Sequence, residues 1–101
     1  MKMYILVKDD VPAGMAIVAA AHASLAAYLK YQDEPEVKEW LSGSFNKVVC
    51  KVNQKEFDSA KEEENRVVLT ESALGGHEVA IAFIPRSEWP KKFKFYRKWS
   101  V

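Results

Sequence analysis

Gly14–Tyr31 reads Gly-Met-Ala-Ile-Val-Ala-Ala-Ala-His-Ala-Ser-Leu-Ala-Ala-Tyr-Leu-Lys-Tyr, with no proline and no glycine after its first residue. Alanine and leucine dominate it, and both favour helix. At about 100° per residue, Ile17, Val18, Ala21, Leu25, Tyr28 and Leu29 share one broad apolar face, expected to cover a sheet. A second stripe, Met15, Ala19, His22 and Ala26, meets the edge of the first. His22 therefore stands at a boundary on a helix otherwise made of small or oily side chains.

Outward from this helix, the flanking segments read as strands and shorter helices. Tyr4–Val7 suits a buried strand, closed by the polar turn Lys8-Asp9-Asp10, with Pro12 and Gly14 marking entry to the helix. Asp10 either holds that turn or lines a site. On the other side, Pro35 among acids opens a short helix through Trp40 and Leu41, and Gly43 suits its end. Asn46–Val52 is rich in strand formers. Gln54–Asn65 is expected to be a charged surface helix anchored by Phe57 and Ala60. Val67–Thr70 and Glu78–Ile84 read as strands around the paired glycines Gly75 and Gly76. Ser87–Lys98 is expected to be a terminal helix, capped by Ser87 with Pro90 in its first turn. The order β-α-(α)-β-α-β-β-α predicts an α/β fold, a sheet with helices on its faces, in a single domain spanning residues 1–101.

The composition sets the bounds on function. The 101 residues are 49% hydrophobic, enough for one packed core. Lys+Arg 15 against Asp+Glu 14 leaves a net charge of +1, so any electrostatic role needs a local patch. One cysteine, Cys50, excludes an internal disulfide and fits a reducing compartment. Residues 15–29 are too short, and too broken by His22 and Ser24, for a bilayer span, and the N-terminus lacks a signal-peptide layout. A soluble, cytoplasmic protein without a membrane partner is expected. No glycine-rich phosphate cradle occurs, and two histidines with one strand cysteine make a thin metal set, so neither a cofactor nor a metal is expected.

Three groups could carry chemistry. His22 and His77 either meet in a crevice as acid, base or hydrogen-bond donor, or remain apart, one in the core and one on a loop. The terminal run Arg86–Trp99 interleaves Lys91, Lys92, Lys94 and Arg97 with Trp89, Phe93, Phe95, Tyr96 and Trp99. That pattern suits phosphates and stacked bases, and equally an amphipathic helix that buries its aromatics. Thr70, Glu71 and Ser72, just before the glycine turn, could place a carboxylate or hydroxyl at the crevice mouth, although no nucleophile-elbow motif surrounds Ser72.

Five stretches in order carry a family resemblance. They are Met3-Tyr4-Ile5-Leu6-Val7-Lys8-Asp9-Asp10, Ala21-His22-Ala23-Ser24-Leu25-Ala26-Ala27-Tyr28, Lys38-Glu39-Trp40-Leu41 with Gly43, Asn46–Lys51, and Gly76–Pro85. In these the chain resembles the type-2 (archaeal and eukaryotic type) peptidyl-tRNA hydrolases. The resemblance implies a four-stranded mixed sheet flanked by helices, often dimeric, and hydrolysis of the ester joining peptide to tRNA, with tRNA or peptidyl-tRNA as partner. The family's helical Lys, Gln and His fall at Met15, Ala19 and His22, so only the histidine is kept. Its Asp falls at Ser72, or at Glu71 with a one-residue shift, its first Thr is deleted, and the second Thr or Ser position is His77. The resemblance thus implies a divergent member with His22, His77 and Glu71 as candidate catalytic groups. Met15, Ala19, Ser72, Asp10, Lys91, Lys92, Lys94 and Arg97 are the candidate binding positions. Two alternatives stay open: an active ester hydrolase with a rebuilt histidine site, and a non-catalytic homodimer packed through the alanine stripe Ala19, Ala20, Ala23, Ala26 and Ala27.

Overall fold

The computed structural model describes residues 1–99. Its elements in chain order are β1 (Lys2–Lys8), α1 (Ala13–Tyr31), α2 (Pro35–Ser42), β2 (Asn46–Val52), α3 (Gln54–Ala60), β3 (Arg66–Glu71), β4 (His77–Phe83), α4 (Lys91–Lys94) and β5 (Arg97–Lys98). They form one mixed sheet in the order β3-β4-β1-β2-β5. β1 and β2 are parallel, from Lys2 opposite Asn46 to Lys8 opposite Val52, while β4 runs antiparallel to both β1 and β3. The expected α/β architecture is therefore present, with one strand more than expected.

Strand alternation divides the core into two layers. Met3, Ile5 and Val7 of β1 face α1, whereas Tyr4 and Leu6 face α3 and α4. In β4, Ala80 and Ala82 face α1, and Ile81 and Phe83 face the other way. The register between β3 and β4 slips at Leu69/Thr70, so that Leu69 pairs with Ala80 and Thr70 with Glu78. The unpaired Val79 is a bulge, and it joins Ala80 on the α1 side.

The orientation of α1 corrects the expectation from its sequence. Ala16, Ala19, Ala23 and Ala27 are the residues that meet the sheet, and Ala23 is fully buried. Ile17, Val18, Leu25 and Leu29 point outward, with 69%, 48%, 58% and 56% of their surfaces exposed. The reason lies in the opposing layer. Met3, Ile5 and Val7 of the sheet and Trp40 of α2 already fill this layer, leaving room for a row of methyl groups and a close helix approach. Of the alanine stripe, Ala19, Ala23 and Ala27 are buried against the sheet and cannot meet a second copy, while Ala20 and Ala26 are half-buried.

The second correction concerns the C-terminal segment. Instead of a helix over residues 87–98, the chain makes one short helical turn, α4, and then pairs Arg97 and Lys98 with Lys51 and Cys50. This covers the outer edge of β2, where the Trp99 N–H also donates to the Val49 carbonyl at 2.8 Å. An unpaired strand edge would otherwise remain. Trp89, Phe93 and Tyr96 pack on Tyr4 and Phe83, with edge-on ring contacts of 5.2 Å for Phe93 against both Tyr4 and Phe83. The charged helix α3 is likewise shorter than expected. It opens on a reciprocal capping box between Asn53 and Glu56 and ends at Ala60.

Candidate functional site

The C-terminal ends of parallel β1 and β2, the N-terminus of α1 and the start of antiparallel β4 converge at one end of the sheet. Ligand crevices of open α/β sheets lie at such strand ends. A cavity of about 260 Å³ opens there, lined by Lys8, Asp10, Val11, Leu74, His77, Glu78 and Val79. One wall is the β1–α1 connection, folded by a bond from the Val11 N–H to the Lys8 carbonyl at 3.2 Å and anchored by the Asp9 N–H on the Val52 carbonyl at 2.8 Å. The opposite wall is a 3₁₀ turn, Ser72–Leu74, followed by Gly75 and Gly76 at φ 69° and 77°. Those left-handed values suit glycine and swing the chain back so that β4 begins at His77.

The charged groups of the cavity divide by partner. Lys8 Nζ donates to Gln54 Oε1 at 2.8 Å, and Glu78 Oε1 pairs with Lys61 Nζ at 2.6 Å. Asp10 and His77 have neither an ion pair nor a side-chain hydrogen bond among the described residues. They are the two titratable groups left free to act on a bound molecule. Glu71 is spent on structure: its Oε1 accepts from the Ala73 N–H at 3.1 Å and its carbonyl from the Gly76 N–H at 2.9 Å. Ser72 opens the same turn and is exposed.

His22 is elsewhere. It sits midway along α1, exposed, and does not line the His77 cavity. Met15 is half-buried, and Ala19, at 2% exposure, is pressed against the sheet. Lys91 and Lys94 are exposed on α4, on the opposite face of the sheet, where Lys92 pairs with Glu63 at 3.4 Å and donates to the Ser59 carbonyl at 3.1 Å. Arg97 does reach the strand-end crevice, through a 3.2 Å ion pair with Asp9.

Three features of the crevice escaped the sequence reading. Lys8 lines the cavity, and its place at the end of β1 was the available signal. Strand register sets Lys51 beside Arg97, and Lys51 Nζ lies 4.5 Å from the Trp99 ring. Beside them an apolar cavity of about 300 Å³ is lined by Val7, Ala16, Ile17, Ala20, Val49 and Trp99. Both depend on β5, which the expected terminal helix concealed. Among the described residues, no group of His, Cys, Asp and Glu is arranged to hold a metal ion. Cys50 is buried in the other layer, and loss of solvent pushes its thiol up to about 11, which makes it a core residue rather than a nucleophile.

A family model for peptidyl-tRNA hydrolase PTH2 matches residues 1–74. The chain belongs to the PTH2 family. The match takes in β1, α1, α2, β2, α3, β3 and the 3₁₀ turn, and so includes one wall of the cavity and the edge of the other. It stops before His77, β4 and the basic terminal segment. No protein of curated function matches the chain. As a PTH2 member, the chain is peptidyl-tRNA hydrolase-like, and peptidyl-tRNA is the kind of substrate its family implies.

Proposed function

We propose that this PTH2 protein binds tRNA or peptidyl-tRNA in the cytoplasm, at the strand-end crevice, without the hydrolytic set of its family. One observation carries the reading: the helix positions corresponding to the family's Lys and Gln hold Met15 and Ala19, and Ala19 is sealed against the sheet. No polar side chain acts from either position, so neither side chain stabilises a developing oxyanion, a contribution of roughly 3–4 kcal/mol where such donors exist. What the crevice does offer is binding chemistry. Lys51 and Arg97 stand side by side for phosphates, Lys51 now lying over the Trp99 ring and Arg97 paired with Asp9, and the first turn of α1 has no side-chain cap.

The test is tRNA binding by the purified protein across a salt series. Binding that weakens with salt, and weakens further in Arg97→Ala and Lys51→Ala, supports the reading. Absence of binding at low salt overturns it. A second reading, hydrolysis through a rebuilt site, rests on Asp10 and His77 lining the same cavity. In that case His77 is the base and Asp10, not Glu71, its orienting carboxylate. Turnover that disappears in His77→Ala would favour this second reading.

A further inference from the structure

We propose that the apolar pocket between the start of α1 and the β2–β5 edge binds a medium-chain aliphatic carboxylate, its chain in the pocket and its carboxylate on Lys51. Strand register lays out both halves of this site. Residues side by side on neighbouring strands point to the same face of a sheet, as do residues two apart on one strand. Val7 faces α1 and stands beside Lys51, so Lys51 and Val49 face the α1 side as well. Lys51 stands in turn beside Arg97, and the Trp99 N–H on the Val49 carbonyl continues the ladder, bringing Trp99 to the same face. Along this edge an apolar pair, Val49 and Trp99, is followed by a cationic pair, Lys51 and Arg97.

The hollow exists because α1 packs across β3, β4 and β1, and β2 lies beyond its edge. Val7, Val49 and Trp99 form the floor, and Ala16, Ile17 and Ala20 the helical wall, of a pocket of about 300 Å³. Every one of these side chains is apolar, so water inside finds few hydrogen-bond partners and gives way readily to hydrocarbon. An apolar cavity of roughly 150 Å³ takes a benzene ring, and about twice that volume takes a saturated chain of about eight carbons. The pocket also belongs to this chain rather than to the matched family region, because β5 and Trp99 lie beyond residues 1–74.

Charge fixes the head group. Lys51 is half-buried, its ammonium is held 4.5 Å from the centre of the Trp99 ring, and it has neither an ion pair nor a side-chain hydrogen bond among the described residues. Arg97 is already neutralised by Asp9 at 3.2 Å. A single uncompensated positive charge at the rim of an apolar hollow matches a monoanion with an apolar tail. A phosphate monoester brings close to two negative charges, and a nucleobase brings polar edges that these walls leave unpaired. The proposal does not rest on tRNA binding: Lys51 serves both, but the ligand and the readout need no RNA.

The test is an NMR titration of the isotope-labelled full chain with sodium octanoate below its micelle concentration. The expected result is saturable shifts centred on the Trp99 indole and the amides of Ala16, Ile17 and Ala20. Each methylene from hexanoate to octanoate should tighten binding about two- to four-fold. Octanol should bind about five-fold more weakly than octanoate, and Lys51→Met should bring octanoate down to octanol without changing octanol itself. Ala20→Leu fills the hollow and should weaken both ligands about ten-fold or more. Ile17→Asp alters an exposed lip where folding is not at stake, and should weaken octanoate more than octanol by setting one carboxylate beside another. Shifts that fail to saturate, or that centre outside the pocket, overturn the proposal, as does octanoate binding that Lys51→Met leaves unmoved. Loss of octanoate binding with salt-sensitive tRNA binding intact overturns this proposal alone, and the converse result leaves it standing.

Discussion

Substituting Leu25 and Ala23 tests which side of α1 faces the sheet. Leu25 has 58% of its surface exposed and Ala23 none. Burying a whole leucine side chain is worth roughly 1.5–3 kcal/mol, and less than half of that remains at stake for Leu25. Leu25→Ala should therefore cost about 1 kcal/mol or less, partly offset by alanine's higher helix propensity. Ala23→Leu, by contrast, inserts three carbons between α1 and the layer of Met3, Ile5 and Val7, where overpacking costs about 1–3 kcal/mol or more. For a chain of this length each kcal/mol moves the melting temperature by about 4–8 °C. Thermal melts at high dilution, where association between copies does not contribute, should show Ala23→Leu melting well below Leu25→Ala. The reverse order, with Leu25→Ala losing the roughly 2–5 kcal/mol typical of a core leucine, would refute the assigned face.

Other expected outcomes probe different parts of the account. Asn53→Ala removes one half of the capping box of α3 and should lower stability by about 1 kcal/mol, read as a small drop in the urea midpoint with unchanged slope. Gly76→Ala places a side chain at φ 77° and should cost about 1–2 kcal/mol while weakening any function that depends on His77; an unchanged melt would contradict the strained-turn argument. Loss of solvent raises the Cys50 thiol from 9.0 to about 11 and the Tyr96 hydroxyl from 10.0 to about 12. The folded state holds these protons more tightly than the unfolded chain, so their contribution is complete below pH 9 and is lost as pH rises from about 9 to 12. Melting temperature should fall across that window, and a flat profile would contradict the burial of both groups.

How far the sequence could be read depended on whether a segment's partner was local. β1, β2 and β4 were legible because short runs of strand formers bounded by turn residues admit one interpretation. The length of α1 was legible for the same reason, from its uninterrupted alanine and leucine content. Its orientation was not, because periodicity finds a face without saying what covers it. Ala16, Ala19, Ala23 and Ala27 share a spacing as regular as that of the bulky face, and the crowded sheet surface decides between them. The terminal segment departs from its local pattern because Arg97 and Lys98 gain their strand only by meeting Lys51 and Cys50, residues far away in sequence. At the site, Asp10 and His77 were both named from the sequence, and their shared cavity emerged only from the antiparallel pairing of β4 with β1. His22 belongs to the stretches that carry the resemblance and Glu71 stands one residue from the family's Asp position, yet one lies exposed on α1 and the other caps a turn.

The most direct measurement is hydrolysis of peptidyl-tRNA by the purified protein and by its His22→Ala variant, with tRNA binding followed in the same samples. The account predicts no turnover in either and salt-sensitive binding of equal strength in both, because His22 stands outside the crevice. Turnover by the wild type that vanishes in His22→Ala would contradict it.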